Sequence, residues 1–426
     1  MQNLLIYPHL ILFAYNLEEK PEGKETSQQK SWEVLRNRLK VPSEADNSER
    51  YYPFLIDDVH GFYQRICLGE TDSLLVSCFT KDEDKPQDVS CFHKFRQKLE
   101  VKANIGRTWL ILGYSHYSAD SDREKAAKEA YKAFKGTQQD PNLKQVNYFL
   151  GSSIFEVWQQ PQDWTKVEDN DLVLICICPY KKTMERFAAF YYEWLWLFYY
   201  RHKIIWAYSN SRIVKSLLEK EDLFPRASTI PAIKVYLPEM NLAYTDLQQI
   251  KIDLHKNLLV LSKHTAGLES LALQLQTLKT NLKNYQTRLG KIKDTANNEL
   301  GLTKLNSLEE FGESVASKYQ GQIEQDHASL SPGLRVRERY IDTIRGIVEV
   351  TQAERDRTLN TTIALATFGL ATSGITATII STQLPQPQPK DTISLTSAFF
   401  WSIGAGIFPV AIALIILIIL GRSGRR

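Results

Sequence analysis

Two stretches near the end of the chain, residues 361–381 (TTIALATFGLATSGITATIIS) and 399–420 (FFWSIGAGIFPVAIALIILIIL), carry no charged side chain. Each reaches the roughly 20 apolar residues that a helix needs to cross the hydrocarbon core of a bilayer. Between them, residues 382–398 hold Pro385, Pro387 and Pro389, with Lys390 and Asp391 cancelling in charge. Extended Pro-rich backbone of this kind suits a short exposed loop. Arg355 and Arg357 precede the first stretch, and Arg422, Arg425 and Arg426 follow the second. Flanking basic residues stay on the cytoplasmic side. The pattern predicts a C-terminal two-helix transmembrane hairpin in the cell inner membrane, with a basic tail at 421–426 and both termini cytoplasmic. Phe399, Phe400 and Trp401 fall where an outer aromatic belt should lie. The mean hydropathy of −0.30 over 426 residues excludes a chain embedded throughout its length.

The two stretches differ in character. In the first, Thr362, Ala366, Gly369, Ser373 and Thr376 recur at spacings of four and three, giving one face of small and hydroxyl residues. Such a face is either a tight helix-packing seam or the lining of a pore. The second has Ser402 and Gly406 in small-xxx-small spacing, a Pro409 that can kink it, and a Leu/Ile-rich end suited to lipid.

Upstream, Leu268, Leu271, Leu275, Leu278, Leu282, Tyr285, Leu289 and Ile292 alternate spacings of three and four. This is an a/d heptad pattern, and its narrow stripe predicts a self-associating coiled coil over 266–300. The competing reading is a surface helix docked on its own domain. Stalk helices are expected over 301–360, interrupted at Ser331-Pro332-Gly333 and then free of breakers from Leu334 into the first apolar stretch. An unbroken helix of that extent would be about 70 Å long.

Residues 1–260 read as a mixed α/β domain in the cytosol, with two similar halves, 1–117 and 118–260, as a further expectation. The runs LLIYPHLILFAY, YYPFLI, SLLVSCF, TWLILGY, SIFEVW, LVLICIC and LLVLS predict strands, and SQQKSWEVLRNRLK, CFHKFRQKLE and SDREKAAKEAYKAFKG predict helices. The apolar N-terminus lacks a basic leader and reads as a first strand. Residues 187–200 (FAAFYYEWLWLFYY) hold nine aromatics in fourteen positions and predict a buried aromatic helix, or else a ligand cage or interfacial segment. The fold class expected for the whole chain is thus an α+β cytosolic domain, then long coiled-coil and stalk helices, then the membrane hairpin.

Charge sets the partners. Lys and Arg number 52 against 49 Asp and Glu, so no nucleic-acid partner is expected. The expected partners are the lipid bilayer, further copies of the chain and a cytosolic protein. The five cysteines form no disulfide framework. Cys176 and Cys178, with one residue between them on a predicted strand, are expected on opposite faces as core residues. The chain has no GxxxxGK[ST], GxGxxG, HExxH or GxSxG motif, so no catalytic residue, cofactor, metal ligand or ligand-binding residue is assigned and an enzyme is not expected. Two clusters remain. Arg201-His202-Lys203 could hold an anion, or be a solvated helix end; Asp57-Asp58 with His60 could form an acid/base group, or be a turn.

Two resemblances follow from these residues. From about residue 266 onward the order of stalk helices and two apolar stretches resembles the CorA-type magnesium channels. That family carries Gly-Met-Asn after its first span, where this chain has TATIISTQLPQPQP, so selective magnesium transport is not implied. The segments PHLILFAYNL, YYPFLIDDVHGFY, LLVSCF and ANIGRTWLILGY resemble the N-terminal domain of caspase- and TPR-repeat-associated (CATRA) proteins of bacterial conflict systems. That resemblance implies a sensor or adaptor in a defence or stress response, with the membrane segment as effector. The expected function is an oligomerising, membrane-anchored sensor or effector; the alternatives are a CorA-like cation channel without the usual filter and a passive tether.

Overall fold

The computed structural model describes residues 4–17, 27–47, 50–115, 119–143, 146–169, 171–220, 244–298 and 301–352. By contact, the chain divides into two units: Met1–Ile213 with Ala272–Gln325, and Val214–Leu271 with Asp326–Arg426.

The first unit is built on one mixed sheet. In chain order its elements are β1 (Leu4–Leu17), α1 (Ser27–Arg38), β2 (Tyr52–Ile56), β3 (Val59–Leu68), β4 (Thr71–Thr80), β5 (Pro86–Asp88), α2 (Cys91–Leu99), β6 (Gly106–Tyr114), α3 (Asp120–Lys135), β7 (Asn147–Phe149), β8 (Ser152–Val157), β9 (Leu172–Cys178), α4 (Lys181–Ala188) and α5 (Tyr191–Lys220). They are followed by α6 (Tyr244–Asn297), α7 (Asn306–Glu310), a π-turn (Phe311–Val315) and α8 (Ala316–Gln352). The strands lie in the order β2-β3-β4-β1-β6-β9-β8-β7, with β5 pairing the start of β1. Only β6 and β9 run parallel; the other pairs are antiparallel.

The central strands are apolar on both faces, as a sheet covered on both sides requires. Successive residues of β1 alternate between two cores: Leu10, Leu12 and Ala14 join one, and Ile11, Phe13 and Tyr15 the other. The first core is closed by Trp32, Leu35 and Leu39 of α1, Phe92, Phe95 and Leu99 of α2, and Ala127, Ala130 and Phe134 of α3. The second is closed by α4, α5, the later part of α6, the π-turn and the first turns of α8. The unit is a three-layer α/β/α sandwich.

The aromatic run at 187–200 is largely buried, with Tyr192 exposed, and forms two helices. Phe190 follows the end of α4, and α5 starts at Tyr191. Phe187, Trp194 and Phe198 stack in sequence at ring separations of 5.7 and 5.6 Å, with Phe149 edge-on to Trp194 at 5.1 Å.

The fold class expected from the sequence is overturned in three ways. First, the heptad stripe does not stand free as a stalk: Leu278, Leu282, Tyr285, Leu289 and Ile292 belong to the second core of the sandwich, with Leu275 packed against it. The stripe is also wider than its apolar residues suggest, because Gln274 and Asn281 are buried too (each 8% exposed). Second, Pro332 does not break the chain but sits inside α8. A proline there removes one helical hydrogen bond. Beside it the Ser331 hydroxyl donates to the His327 carbonyl at 2.7 Å. Third, among the described residues no helix is long and apolar enough to cross a membrane. The predicted spans 361–381 and 399–420, their loop 382–398 and the tail 421–426 lie outside the described residues.

One smaller expectation also changes. LLVLS, at 258–262, is helical and part of α6, the usual ambiguity of a short apolar run. The strands of the expected halves 1–117 and 118–260, β1 to β6 and β7 to β9, lie in one sheet.

The second unit has its own small apolar cluster. Leu218, Leu268, Leu271 and Leu330 are buried together, with Val214, Val260 and Leu334 against them. Gly267 lies so close to Leu218 that an added Cβ would meet its side chain at 2.5 Å. Lys215 pairs with Asp326 at 3.0 Å.

Candidate functional site

The residues that the sequence singled out lie mostly inside the core. Arg201 is fully buried and donates from Nη2 to Glu156 Oε1 at 2.7 Å. The other Glu156 oxygen accepts from Ser307 Oγ at 2.8 Å, and Ser307 in turn accepts from Asn147 Nδ2 at 2.7 Å. The Ser307 backbone N–H returns to Asn147 Oδ1 at 2.8 Å. This network ties α5, β7, β8 and α7 into one unit, and it fills the guanidinium's anion position with the protein's own carboxylate.

His202 lies against Gly106 and Thr108. Its Nε2 is 2.8 Å from Thr108 Oγ1. Gly106 has φ +150°, and a Cβ there would fall 2.3 Å from the ring, so only glycine admits the imidazole. Burial, with Arg201 and Arg107 adding, pushes the imidazole down to about 3, so it is neutral. Lys203 lies 4.7 Å over the Trp206 ring, and burial lowers its ammonium to about 8. The three neighbours therefore do not converge on one anion site. Asp57 and Asp58 form the β2–β3 turn at φ 48° and 65°, and Asp57 is held by Lys98 at 2.8 Å. His60 stands on β3 beside Phe79.

Cys176 and Cys178 correct the sequence reading. Residues two apart on a strand share a face, and both thiols point into the second core with sulfurs 3.8 Å apart. Leu268 and Leu271 of the heptad stripe belong to the second unit. Thr362, Ala366, Gly369, Ser373 and Thr376 lie outside the described residues.

What the sequence did not single out is a cavity of about 370 Å³ beside the end of α3 and the adjoining ends of β8 and β9. Val157 and Val173 supply apolar wall, and Tyr131, Lys135, Asn142 and Gln159 supply polar groups. Asp171 and Asp140 lie at its edge, and each is already neutralised. Asp171 accepts from Arg107 Nε at 2.8 Å, with Lys135 Nζ at 3.6 Å; Asp140 pairs with Lys132 at 2.6 Å. Burial holds the Lys135 ammonium below its usual range, against the pull of Asp171, and raises the Tyr131 hydroxyl.

Trp158 joins this cavity to the buried network. It lines the cavity. Its ring lies 5.2 Å from the Arg201 guanidinium carbon and edge-on to Phe311 at 6.0 Å. The cavity borders the α3 layer, whereas Arg201 and Phe311 belong to the opposite helical layer. No short motif could have shown this, since the lining residues come from 131–142, 157–159 and 171–173 and meet only because β8 pairs β9 beneath α3.

No family model matches the chain, and neither the curated proteins nor the solved structures contain a match.

Proposed function

We propose that this chain is a membrane-associated sensor whose α/β/α domain takes a small ligand and passes its occupancy to the helices on the far side of the sheet. The observation that carries this reading is Trp158, which touches the cavity, Arg201 and Phe311 at once. A packed interior transmits displacement because its side chains have few alternative arrangements. The same three helices carry on into the second unit: α5 from Val214, α6 up to Leu271 and α8 from Asp326. The uncharged stretches at 361–381 and 399–420 supply the attraction to a bilayer. The CATRA resemblance agrees with a sensor or adaptor role, and the heptad stripe's burial in the domain argues against a stalk that only tethers.

The test fills the cavity without needing the ligand. Thr137→Trp puts an indole in place of a lining residue of the cavity. Amide exchange on the full chain is expected to slow in α5 and in 311–325 as well as around α3. A change confined to α3 and residues 136–143 would refute the coupling.

A further inference from the structure

A sheet that ends in a bare strand invites another strand to join it, because its outermost backbone still has N–H and C=O groups to pair. The sheet of the first unit ends at β7 and at β2. At β7 the chain covers its own edge: Tyr148 and Lys304 exchange both backbone bonds at 2.7 Å, and the Gly151 N–H reaches the Leu302 carbonyl at 2.9 Å. At β2, among the described residues, no strand pairs with the outer side. Tyr51, just before the strand, and Leu55 within it are 57% and 60% exposed, and Pro53 between them is exposed too. A row of exposed apolar residues along an open edge is a template for a second copy of the chain.

The register shows which backbone groups of β2 face outward. In an antiparallel pair, opposed residues alternate between those that exchange both hydrogen bonds and those that exchange none. Asp57 and Asp58, at φ 48° and 65°, form a two-residue turn, which makes Ile56 and Val59 an exchanging pair. Counting back in twos, Phe54 with Gly61 and Tyr52 with Tyr63 also exchange, whereas Leu55 with His60 and Pro53 with Phe62 do not. The other side of β3 gives the same answer. Leu68 and Thr71 flank a two-residue turn into β4, so Phe62 and His60, at even steps from Leu68, bond to Ser77 and Phe79 instead. Pro53 and Leu55 therefore turn their backbone away from β3.

Pro53 sits at the middle of that open edge and has no N–H. Its ring carbon stands where the hydrogen would be. A proline here leaves the β2–β3 ladder whole, because position 53 gives no bond to β3; at position 54 it would remove one. Two copies meeting β2 to β2 about a two-fold axis centred on residue 53 would pair Tyr51 of each with Leu55 of the other. Their backbones would have to approach to about 4.8 Å, with the two proline rings at the centre of the contact.

We infer that Pro53 closes this edge: it stops β2 from pairing with β2 of a second copy, and so ends the sheet within one chain. This stands apart from the sensor reading.

Pro53→Val supplies the missing N–H together with a β-branched side chain. The mass of the full-length variant is measured by light scattering at rising concentration, beside wild type in the same detergent. It is expected to reach about twice the wild-type mass, since one two-fold contact adds one copy. The outward amides of Tyr51 and Leu55 are expected to gain protection from exchange as the mass rises. A second variant, Pro53→Val with Leu55→Pro, moves the missing N–H to the next outward position, and its mass is expected to fall back to that of wild type. Both substitutions lie outside the ladder, so melting temperatures are expected to stay at the wild-type value. Three results would overturn the inference: a Pro53→Val mass equal to wild type at every concentration, a rise in mass with the Tyr51 and Leu55 amides still exchanging as in wild type, or a double variant that associates as strongly as the single one.

Discussion

At the scale of single residues, Arg201 and His202 show why a charged cluster in sequence need not be a surface site. Both follow the aromatic run on α5 and look solvent-directed beside Lys203, yet both are inside. Arg201 is tolerated there because Glu156 supplies a full countercharge and Ser307 satisfies the second carboxylate oxygen. Removing one partner of such a pair strands the other. Arg201→Met is therefore expected to destabilise the chain by about 3–5 kcal/mol in urea unfolding, and the double change Arg201→Met with Glu156→Leu by clearly less. A loss for the double variant equal to the sum of the losses for Arg201→Met and Glu156→Leu alone would show that the pair is not coupled.

His202 gives a pH prediction with a definite sign. Its folded value, about 3, lies below the ordinary 6.5, so the unfolded chain takes up the proton first. The stability it contributes is whole above pH 6.5 and falls by about 1.4 kcal/mol per unit as pH drops toward 3. The difference in unfolding free energy between wild type and His202→Gln is expected to shrink over that window. A difference independent of pH would contradict the neutral buried ring.

At the scale of elements, the strands were legible and the role of the long helix was not. β1, β4, β6, β8 and β9 read from runs of β-branched and aromatic residues because a doubly covered sheet demands them. The alternation that marks a one-sided strand helped less: β3, with Gly61, Gln64 and Arg65 among its apolar residues, was not singled out. For α6 the period was read correctly and its partner was not. An a/d stripe states that one face is buried, not against what. Gln274 and Asn281 would have widened that face, but polar side chains do not announce burial. Leu278→Ala is expected to cost about 2–5 kcal/mol in thermal or chemical unfolding, since Leu278 is fully buried in the sandwich core. Were the stripe instead a seam between chains, the same change would lower the mass seen by light scattering and leave the domain's unfolding midpoint in place. The cavity was invisible for a related reason: its polar residues become neighbours only through the pairing of β8 with β9.

At the scale of the whole molecule, the sandwich owns the chemistry and three helices leave it. The cavity, Trp158, the Arg201–Glu156 pair and Phe311 form a continuous set of contacts within the first unit. The full chain is expected to float with liposomes on a density gradient, drawn by the apolar stretches at 361–381 and 399–420; recovery in the bottom fraction would remove the membrane from the picture. In the proposed sensor, Trp158 is the contact through which the cavity would reach α5. The most direct measurement is amide exchange across α5 in the full-length Thr137→Trp protein, with and without a second change, Trp158→Leu. The expected result is slowed exchange in α5 with Trp158 present and none with leucine in its place; slowing that persists with leucine would contradict the link.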